Sequence, residues 1–345
     1  MSITCWEPKN IKCKSPLNTD TKCEDMLCSM IKTIEVIGLA GINYLIPNPS
    51  NFEDLIVNTE KSLKEILNAC DNCVIKDCTS VICCIAQAIG VIGASGLTAI
   101  AQQPGLYDNI TTYTQLLIDA MYLKVNCLNK NVNCTSVICC ISQAIGVIGA
   151  SGLTAISRQP EAEIQITDYT QLLIDAMYSK VNCLNKNVNC TSVICCIEQA
   201  IGVIGASGLT AIARQPGKEE ILTTYTNLLI DAMYSQVNCL NKNVNCTSVI
   251  CCIEQAIGVI GASGLTAISR NQVVYDKITT YTQLLIDAMY LKVNCLNKNV
   301  NCEDIQCCIA QAIAVIDFSS SITDTNEKIE LYVVYLKKQI NINCK

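Results

Sequence analysis

Cysteine is the residue type whose number and spacing could support chemistry in this chain. The 345 residues contain 26 cysteines, and most recur in a C-x4-C-C motif such as Cys78, Cys83 and Cys84. Cys127 adds a fourth cysteine to the same stretch. Thiols gathered in this way form disulfides or bind a soft metal ion such as zinc or Cu(I). Because the motif lacks the C-x2-C spacing of ordinary zinc modules, we expect disulfides, with no metal and no cofactor.

The period of the motif sets the domain organisation. The cysteines that open each copy recur at intervals of 56 residues, from Cys78 to Cys302, and a looser copy begins at Cys23. Terminal copies that differ from the middle ones are typical of repeat arrays, because an end unit has one face without a neighbour. We therefore divide the chain into an N-terminal extension with an atypical first repeat (1–77), four similar repeats (78–133, 134–189, 190–245 and 246–301) and a shortened C-terminal capping repeat (302–345).

Two helices are predicted in each unit. The first runs from Thr79, with Thr79 and Ser80 as candidate N-caps, to about Gln102, and is apolar nearly all round, which indicates a buried helix. The second runs from about Thr111 to Leu128 and has one broad apolar face, with Asp119 on its polar strip as a solvated acid. The predicted fold is all-α, a solenoid-like tandem array of about six disulfide-braced two-helix hairpins with a period of 56 residues.

The two-helix hairpin suggests one disulfide connectivity. The second helix returns beside the start of the first, so Cys84 faces Cys127 in the same unit. Cys78 then pairs with Cys83, which closes both bonds within the unit. The candidate disulfide cysteines are Cys78, Cys83, Cys84, Cys127, Cys134, Cys139, Cys140, Cys183, Cys190, Cys195, Cys196, Cys239, Cys246, Cys251, Cys252, Cys295, Cys302, Cys307, Cys308 and Cys344.

A staggered connectivity is the alternative. Here Cys83 pairs with Cys134 of the next unit, and so on along the array, which leaves Cys307 without a successor. A lone thiol at one end and an odd number of cysteines at the other would crosslink molecules head to tail into a fibre. Spacing alone does not decide connectivity, but the closed scheme pairs every cysteine, so we favour it.

Comparison of the copies predicts which positions face solvent. Positions that tolerate both apolar and charged residues are expected to lie at the surface. Two such sets are Ala86, Ser142, Glu198, Glu254 and Ala310 in the first helix, and Leu123, Ser179, Ser235 and Leu291 in the second.

Composition excludes several functions. The chain has no histidine, which removes the usual general base and the commonest metal ligand. Its net charge is −6 and no basic run occurs, which argues against nucleic-acid binding. Val81 to Ala101 is long and apolar enough to cross a membrane, but Glu198 and Glu254 at similar depth in later copies argue against a span.

The cysteine content favours an oxidising compartment. The first residues have no charged region followed by an apolar one, so they do not form a signal peptide. Because of the cysteine content, we nevertheless expect a secreted, extracellular chain whose signal peptide is absent from this sequence. Four sequons, at Asn109, Asn133, Asn189 and Asn245, are then candidate glycosylation sites.

We expect a non-enzymatic secreted structural protein, such as a component of a fibre, an adhesive, a coat or the extracellular matrix. Self-association through small-residue helix faces, such as that of Gly90, Gly93 and Ala94, or through terminal cysteines would suit this role. Two alternatives stay open: a carrier of lipid or another hydrophobic ligand, and a secreted multivalent effector that binds a partner protein.

Overall fold

The computed structural model describes residues 28–36, 38, 52–71, 79–102, 109–123, 133–159, 162–179, 181, 188–214, 219–235, 244–269, 275–291 and 302–320. Regular structure in these ranges is entirely α-helical, in eleven helices arranged as a tandem array. The predicted all-α repeat fold is confirmed.

Helices of two kinds alternate along the chain, and we call them A and B. The A helices are α1 (28–36), α3 (Thr79–Ala101), α5 (Cys134–Ile156), α7 (Cys190–Ile212), α9 (Cys246–Ser269) and α11 (Cys302–Ser320). The B helices are α2 (Phe52–Asp71), α4 (Asn109–Leu123), α6 (Glu163–Tyr178), α8 (Glu219–Ser235) and α10 (Tyr275–Leu291). The predicted extension of the second helix to Leu128 lies outside the described residues.

The A helices lie side by side, and from α3 to α11 each packs extensively against the next A helix along the chain. The B helices α4, α6 and α8 each pack against the A helix of their own unit and against that of the next, while α2 packs against α3 and α10 packs against α9. A-helix side chains such as Ile85, Ile89 and Ile92 are therefore buried, while a narrow strip that includes Val91 remains exposed. By length and composition, α3, α5, α7 and α9 could also cross a membrane.

Glycines allow this close packing. The nearest neighbour that a Cβ on Gly146 would meet is Ala200 of the next A helix, at 3.6 Å, which is an ordinary van der Waals contact. Gly152 lies directly under the phenol ring of Tyr169 from α6, and a Cβ there would overlap the ring. The ring thus fills the space that the glycine leaves.

The N-cap prediction is wrong in the three helices whose N-terminal capping bonds are described, α5, α7 and α9. The A helix α5 begins one residue before the expected threonine, and its cap is Asn133, whose Oδ1 accepts a hydrogen bond from the Ser136 N–H at 3.2 Å. The same arrangement caps α7 with Asn189. Asparagine caps a helix as well as serine does, and the threonine hydroxyl is used instead across the junction between units.

Candidate functional site

Disulfides join successive units of the array. Five disulfides link a cysteine of one unit, which is Cys28 in the first unit and the first cysteine of the pair in later units, to the second cysteine of the next unit's pair, and we call them the disulfide ladder. They are Cys28–Cys84, Cys83–Cys140, Cys139–Cys196, Cys195–Cys252 and Cys251–Cys308, with Cα–Cα distances of 5.2–5.7 Å. These distances lie in the ordinary range for disulfides.

The closed connectivity is wrong for the paired cysteines. Cys84 bonds Cys28 rather than Cys127, and Cys83 bonds Cys140. The physical reason is that each A helix packs mainly against other A helices, so cysteines at the same level meet across the junction. Adjacent helical residues point about 100° apart, which turns one cysteine of each pair to each neighbour.

The staggered connectivity places its bonds between units, as the structure does, but names the wrong partner. Cys83 reaches Cys140, while Cys134, its expected partner, is engaged in a different disulfide, as are Cys190 and Cys246. All three of these cysteines are buried. Their partners lie outside the described side chains.

Cys307 carries a free, exposed thiol, so its pairing within the last unit is also wrong. It occupies the position in α11 that Cys251 occupies in α9, at the open end of the disulfide ladder. The remaining candidates lie outside the described residues or have undescribed side chains: Cys78, Cys127, Cys183, Cys239, Cys295, Cys302 and Cys344.

A second row of inter-unit contacts joins the B helices. The Tyr169 hydroxyl on α6 shares a hydrogen bond of 2.9 Å with Thr114 Oγ1 on α4, and both side chains are buried. Three further pairs repeat this bond at 2.8–3.0 Å: Tyr113 with Thr59, Tyr225 with Thr170 and Tyr281 with Thr226. Burial raises the pKa of each phenol well above its ordinary value, although the threonine hydrogen bond partly opposes this. These tyrosines therefore stay neutral and link unit to unit.

A third row lies at the starts of the A helices. The backbone N–H of Asn189, the N-cap of α7, donates to Thr135 Oγ1 in the first turn of α5 at 2.8 Å, and the same bond joins Asn133 to Thr79 and Asn245 to Thr191. The sequon residues Asn133, Asn189 and Asn245 are thus engaged as helix caps, and Asn109 is the first residue of α4. Their glycosylation stays a prediction.

Two glutamates in the A helices are buried, contrary to the expectation that their position faces solvent. Glu198 and Glu254 are 0% exposed, and the equivalent Ala86 and Ser142 are also buried, while Ala310 is exposed. The residue at this position therefore varies among the copies although it is buried at the junction between units in all but the last of them. The prediction is confirmed for the second set, since Leu123, Ser179 and Ser235 are exposed, and the Leu291 side chain lies outside the description.

Each buried glutamate has a tyrosine partner in the B helix of the preceding unit. Glu198 Oε1 accepts a hydrogen bond from the Tyr178 hydroxyl, and Glu254 Oε1 accepts one from Tyr234 at 2.5 Å. Among the described residues, Oε2 of each glutamate has no hydrogen-bond partner. Burial raises the pKa of both carboxyl groups to about 8, although the tyrosine hydrogen bond opposes the rise. Both carboxyls are therefore mostly protonated at neutral pH.

The acids on the B helices lie where the sequence predicts. Asp119, Asp175, Asp231 and Asp287 are exposed, and Gln115 Nε2 donates to Asp119 Oδ1 at 2.8 Å. In the part of the chain that the structure describes, no three Cys, Asp or Glu side chains gather in a way that could hold a metal ion.

Comparison with known proteins assigns no family to the chain. No family model matches it, and no curated protein matches it. A solved structure described as "Computational Design of Self-Assembling Cyclic Protein Homooligomers" aligns over 89% of this chain and 98% of its own, at 15% identity and a TM-score of 0.25. A similarity at this level carries no argument about fold or function.

Proposed function

We propose that this protein is a non-enzymatic, extracellular structural protein that carries tension along its repeat axis, as a component of a fibre, an adhesive, a coat or a matrix. The observation that supports it best is the order in which the disulfide ladder connects the units. The disulfides and the all-helical repeats are consistent with an extracellular location.

The ladder forms a continuous covalent path from one A helix to the next, without following the polypeptide along the helices and loops between them. From Cys28 the path crosses a disulfide to Cys84, takes one peptide bond to Cys83, and crosses the next disulfide to Cys140. The same two steps repeat until Cys308. We call this route the covalent spine. It consists of five disulfides alternating with single peptide links between neighbouring cysteines.

The covalent spine is short. Its Cα–Cα steps of 5.2–5.7 Å across disulfides and about 3.8 Å across peptides give roughly 40 Å between residues 28 and 308. The same stretch of chain, fully extended, would reach roughly 1,000 Å. A pulling force applied to the ends is therefore borne by covalent bonds at nearly the folded length, which is what a tension-bearing element requires.

The non-covalent contacts of the junction serve the same role. The tyrosine–threonine row and the asparagine–threonine row repeat at successive junctions, so each of these junctions is held by the same kinds of hydrogen bond. The packing also speaks against the carrier alternative at these positions, because the space above Gly152 is filled by Tyr169.

The test is to find the protein in its native setting and ask what releases it. We expect it in an extracellular, insoluble material that neutral buffer and detergent leave in place and that reductant together with denaturant releases. An antibody against the repeat should stain that material. Recovery of the protein as a soluble chain with bound lipid would contradict the proposal in favour of a carrier, and tight stoichiometric capture of one foreign protein would contradict it in favour of an effector.

A further inference from the structure

The A helices present a surface that neither the disulfide ladder nor the B helices cover. One valine in each unit is exposed on it: Val91, Val147, Val203, Val259 and Val315, with exposed fractions of 39–50%. In each of these units a glutamine one turn before the valine is exposed as well, such as Gln143 before Val147. Because the A helices lie side by side, these positions form one surface, which we call the outer face.

The middle of the outer face, in α3, α5, α7 and α9, exposes no charged side chain, whereas Arg158 and Arg214 are exposed just past the ends of α5 and α7 and Asp304 is exposed near the start of α11. The A helices α3 and α5 contain no charged residue, and α7 and α9 contain only Glu198 and Glu254, which are buried. The B helices, in contrast, expose acids such as Asp119 and Asp175. Depletion of charge together with exposed apolar side chains is the compositional mark of the core of a protein–protein interface.

The area of the outer face is sufficient for a stable pair. A helix of 23 residues is about 34 Å long, and packed helices lie about 9 Å apart, so α3, α5, α7 and α9 together present roughly 1,200 Å² on this side. A standard interface needs about 800 Å² from each partner. A second molecule laid across the face would meet that requirement.

The outer face carries both exposed valines and grooves between the helices. Open grooves of about 220 and 240 Å³ run between neighbouring A helices, lined by small side chains such as Thr154 and Ala206 and each also by one arginine, Arg214 or Arg158. Ridges of valine and grooves of small residues both repeat at the A-helix spacing, so a copy shifted by half a unit places its ridges in the grooves. Glutamine is both donor and acceptor, which suits it to pair with its own kind across such a contact.

A lipid surface fits the outer face less well. Helices that lie on membranes combine large apolar or aromatic side chains with a lysine- and arginine-rich polar face, whereas α3, α5, α7 and α9 have no aromatic residue, lysine or arginine. We propose that the outer face is an interface for a second copy of this chain. The proposal rests on the structural role above, and it supplies the lateral contact that would hold tension-bearing arrays side by side.

The test uses the full oxidised chain carrying Cys307→Ser, so that thiol crosslinks do not contribute to association. Sedimentation velocity from 1 to 100 µM should show a reversible dimer or larger species. The double variant Val147→Lys/Val203→Lys should weaken association at least tenfold, because it buries two charges. Ile164→Lys, at a 72% exposed position on α6, makes a matched apolar-to-charged exchange away from the face and should leave association unchanged.

Circular dichroism and thermal melting of each variant would verify that it is folded. A parent that stays monomeric at 100 µM, or association that survives the double valine variant, would overturn the proposal. Flotation with phosphatidylcholine–phosphatidylserine vesicles that the same double variant abolishes would overturn it in favour of a lipid. A monomer that still resists extension under force would leave the proposed structural function standing, so the two failures are distinguishable.

Discussion

Cys83 and Cys140 lie 57 residues apart in the chain, and their Cα atoms lie 5.3 Å apart across the junction between α3 and α5. The adjacent Cys84 bonds in the opposite direction, to Cys28. Two neighbouring residues thus hold a unit to both of its neighbours. Through this arrangement, disulfides link the A helices covalently from α1 to α11.

Removing one rung of the ladder should weaken the array. The double variant Cys139→Ser/Cys196→Ser opens a loop of 57 residues, and it should lower the free energy of unfolding by about 2–4 kcal/mol. Urea unfolding of the oxidised proteins measures the difference. After full reduction the parent and the variant should unfold nearly alike, and a difference that persists would mean that the serines themselves are responsible.

The free thiol should be chemically distinct from the ladder cysteines. Iodoacetamide applied to the folded, non-reduced protein should alkylate Cys307, because it is exposed and unbonded. The Cys251 and Cys308 side chains should remain unlabelled until reductant is added, so the peptide that contains Cys307 and Cys308 should carry a single alkyl group at Cys307. Protection of Cys307 from labelling would contradict its assignment as the unbonded cysteine at the end of the ladder.

Two glycines of one helix should respond oppositely to the same change. Gly152→Ala places a methyl group against the Tyr169 ring, and it should lower the free energy of unfolding by about 1–3 kcal/mol, the usual cost of overpacking. Gly146→Ala meets Ala200 only at 3.6 Å, so it should be neutral or should stabilise by up to about 1 kcal/mol through helix propensity. Equal effects in urea unfolding would contradict the assigned packing.

The tyrosine–threonine contact should behave as a coupled pair. Tyr225→Phe leaves Thr170 buried without its 2.8 Å partner and should cost about 1–2 kcal/mol of unfolding free energy. Thr170→Val should cost a similar amount. The double variant should cost less than the sum of the two, and strict additivity would show that the hydroxyls do not interact.

Stability should fall as pH rises through the neutral range. The carboxyls of Glu198 and Glu254 have a pKa of about 8 in the folded protein, against an ordinary value of 4.5. Below pH 4.5 both states are protonated, and the stability contribution is fully present. Between pH 4.5 and 8 only the unfolded state loses its protons, so each carboxyl lowers the free energy of unfolding by up to about 1.4 kcal/mol per pH unit. Above pH 8 the loss levels off.

The surrounding groups do not mask this dependence. Tyr178 and Tyr234 face the two carboxyls, and burial raises the pKa of each phenol well above 10, so both stay neutral in this window. Urea unfolding at pH 5 and pH 8 should show the loss in the parent. Glu198→Gln/Glu254→Gln should show a much flatter dependence, and an unchanged slope would contradict the assignment.

The sequence was sufficient to predict the repeat and its two helices, because the 56-residue period and the helical pattern of apolar residues are local signals. Connectivity was not predicted, since it depends on which helices become neighbours: Cys84 meets Cys28 only because A helices pack on A helices. One signal was available. The first unit has Ser29 where later units have a second cysteine, which is what a ladder between units requires at its beginning.

The buried glutamates were missed for a different reason. A position that alternates among alanine, serine and glutamate is typical of a surface, and only the three-dimensional arrangement shows that Tyr178 reaches Glu198 from the preceding unit. A polar residue can be buried where a partner from another helix accommodates it. The pattern of a single sequence does not show which residue of another helix contacts the glutamate.

Single-molecule force spectroscopy tests the covalent spine most directly. With handles at both ends of the chain, the oxidised protein should show no unfolding extension from residues 28–308, while reductant should allow the same region to lengthen by hundreds of ångströms. The variant Cys139→Ser/Cys196→Ser, pulled without reductant, should gain one step of up to roughly 200 Å, less any segment that the disulfide of Cys190 retains. Stepwise extension of the oxidised parent, unit by unit, would contradict the account.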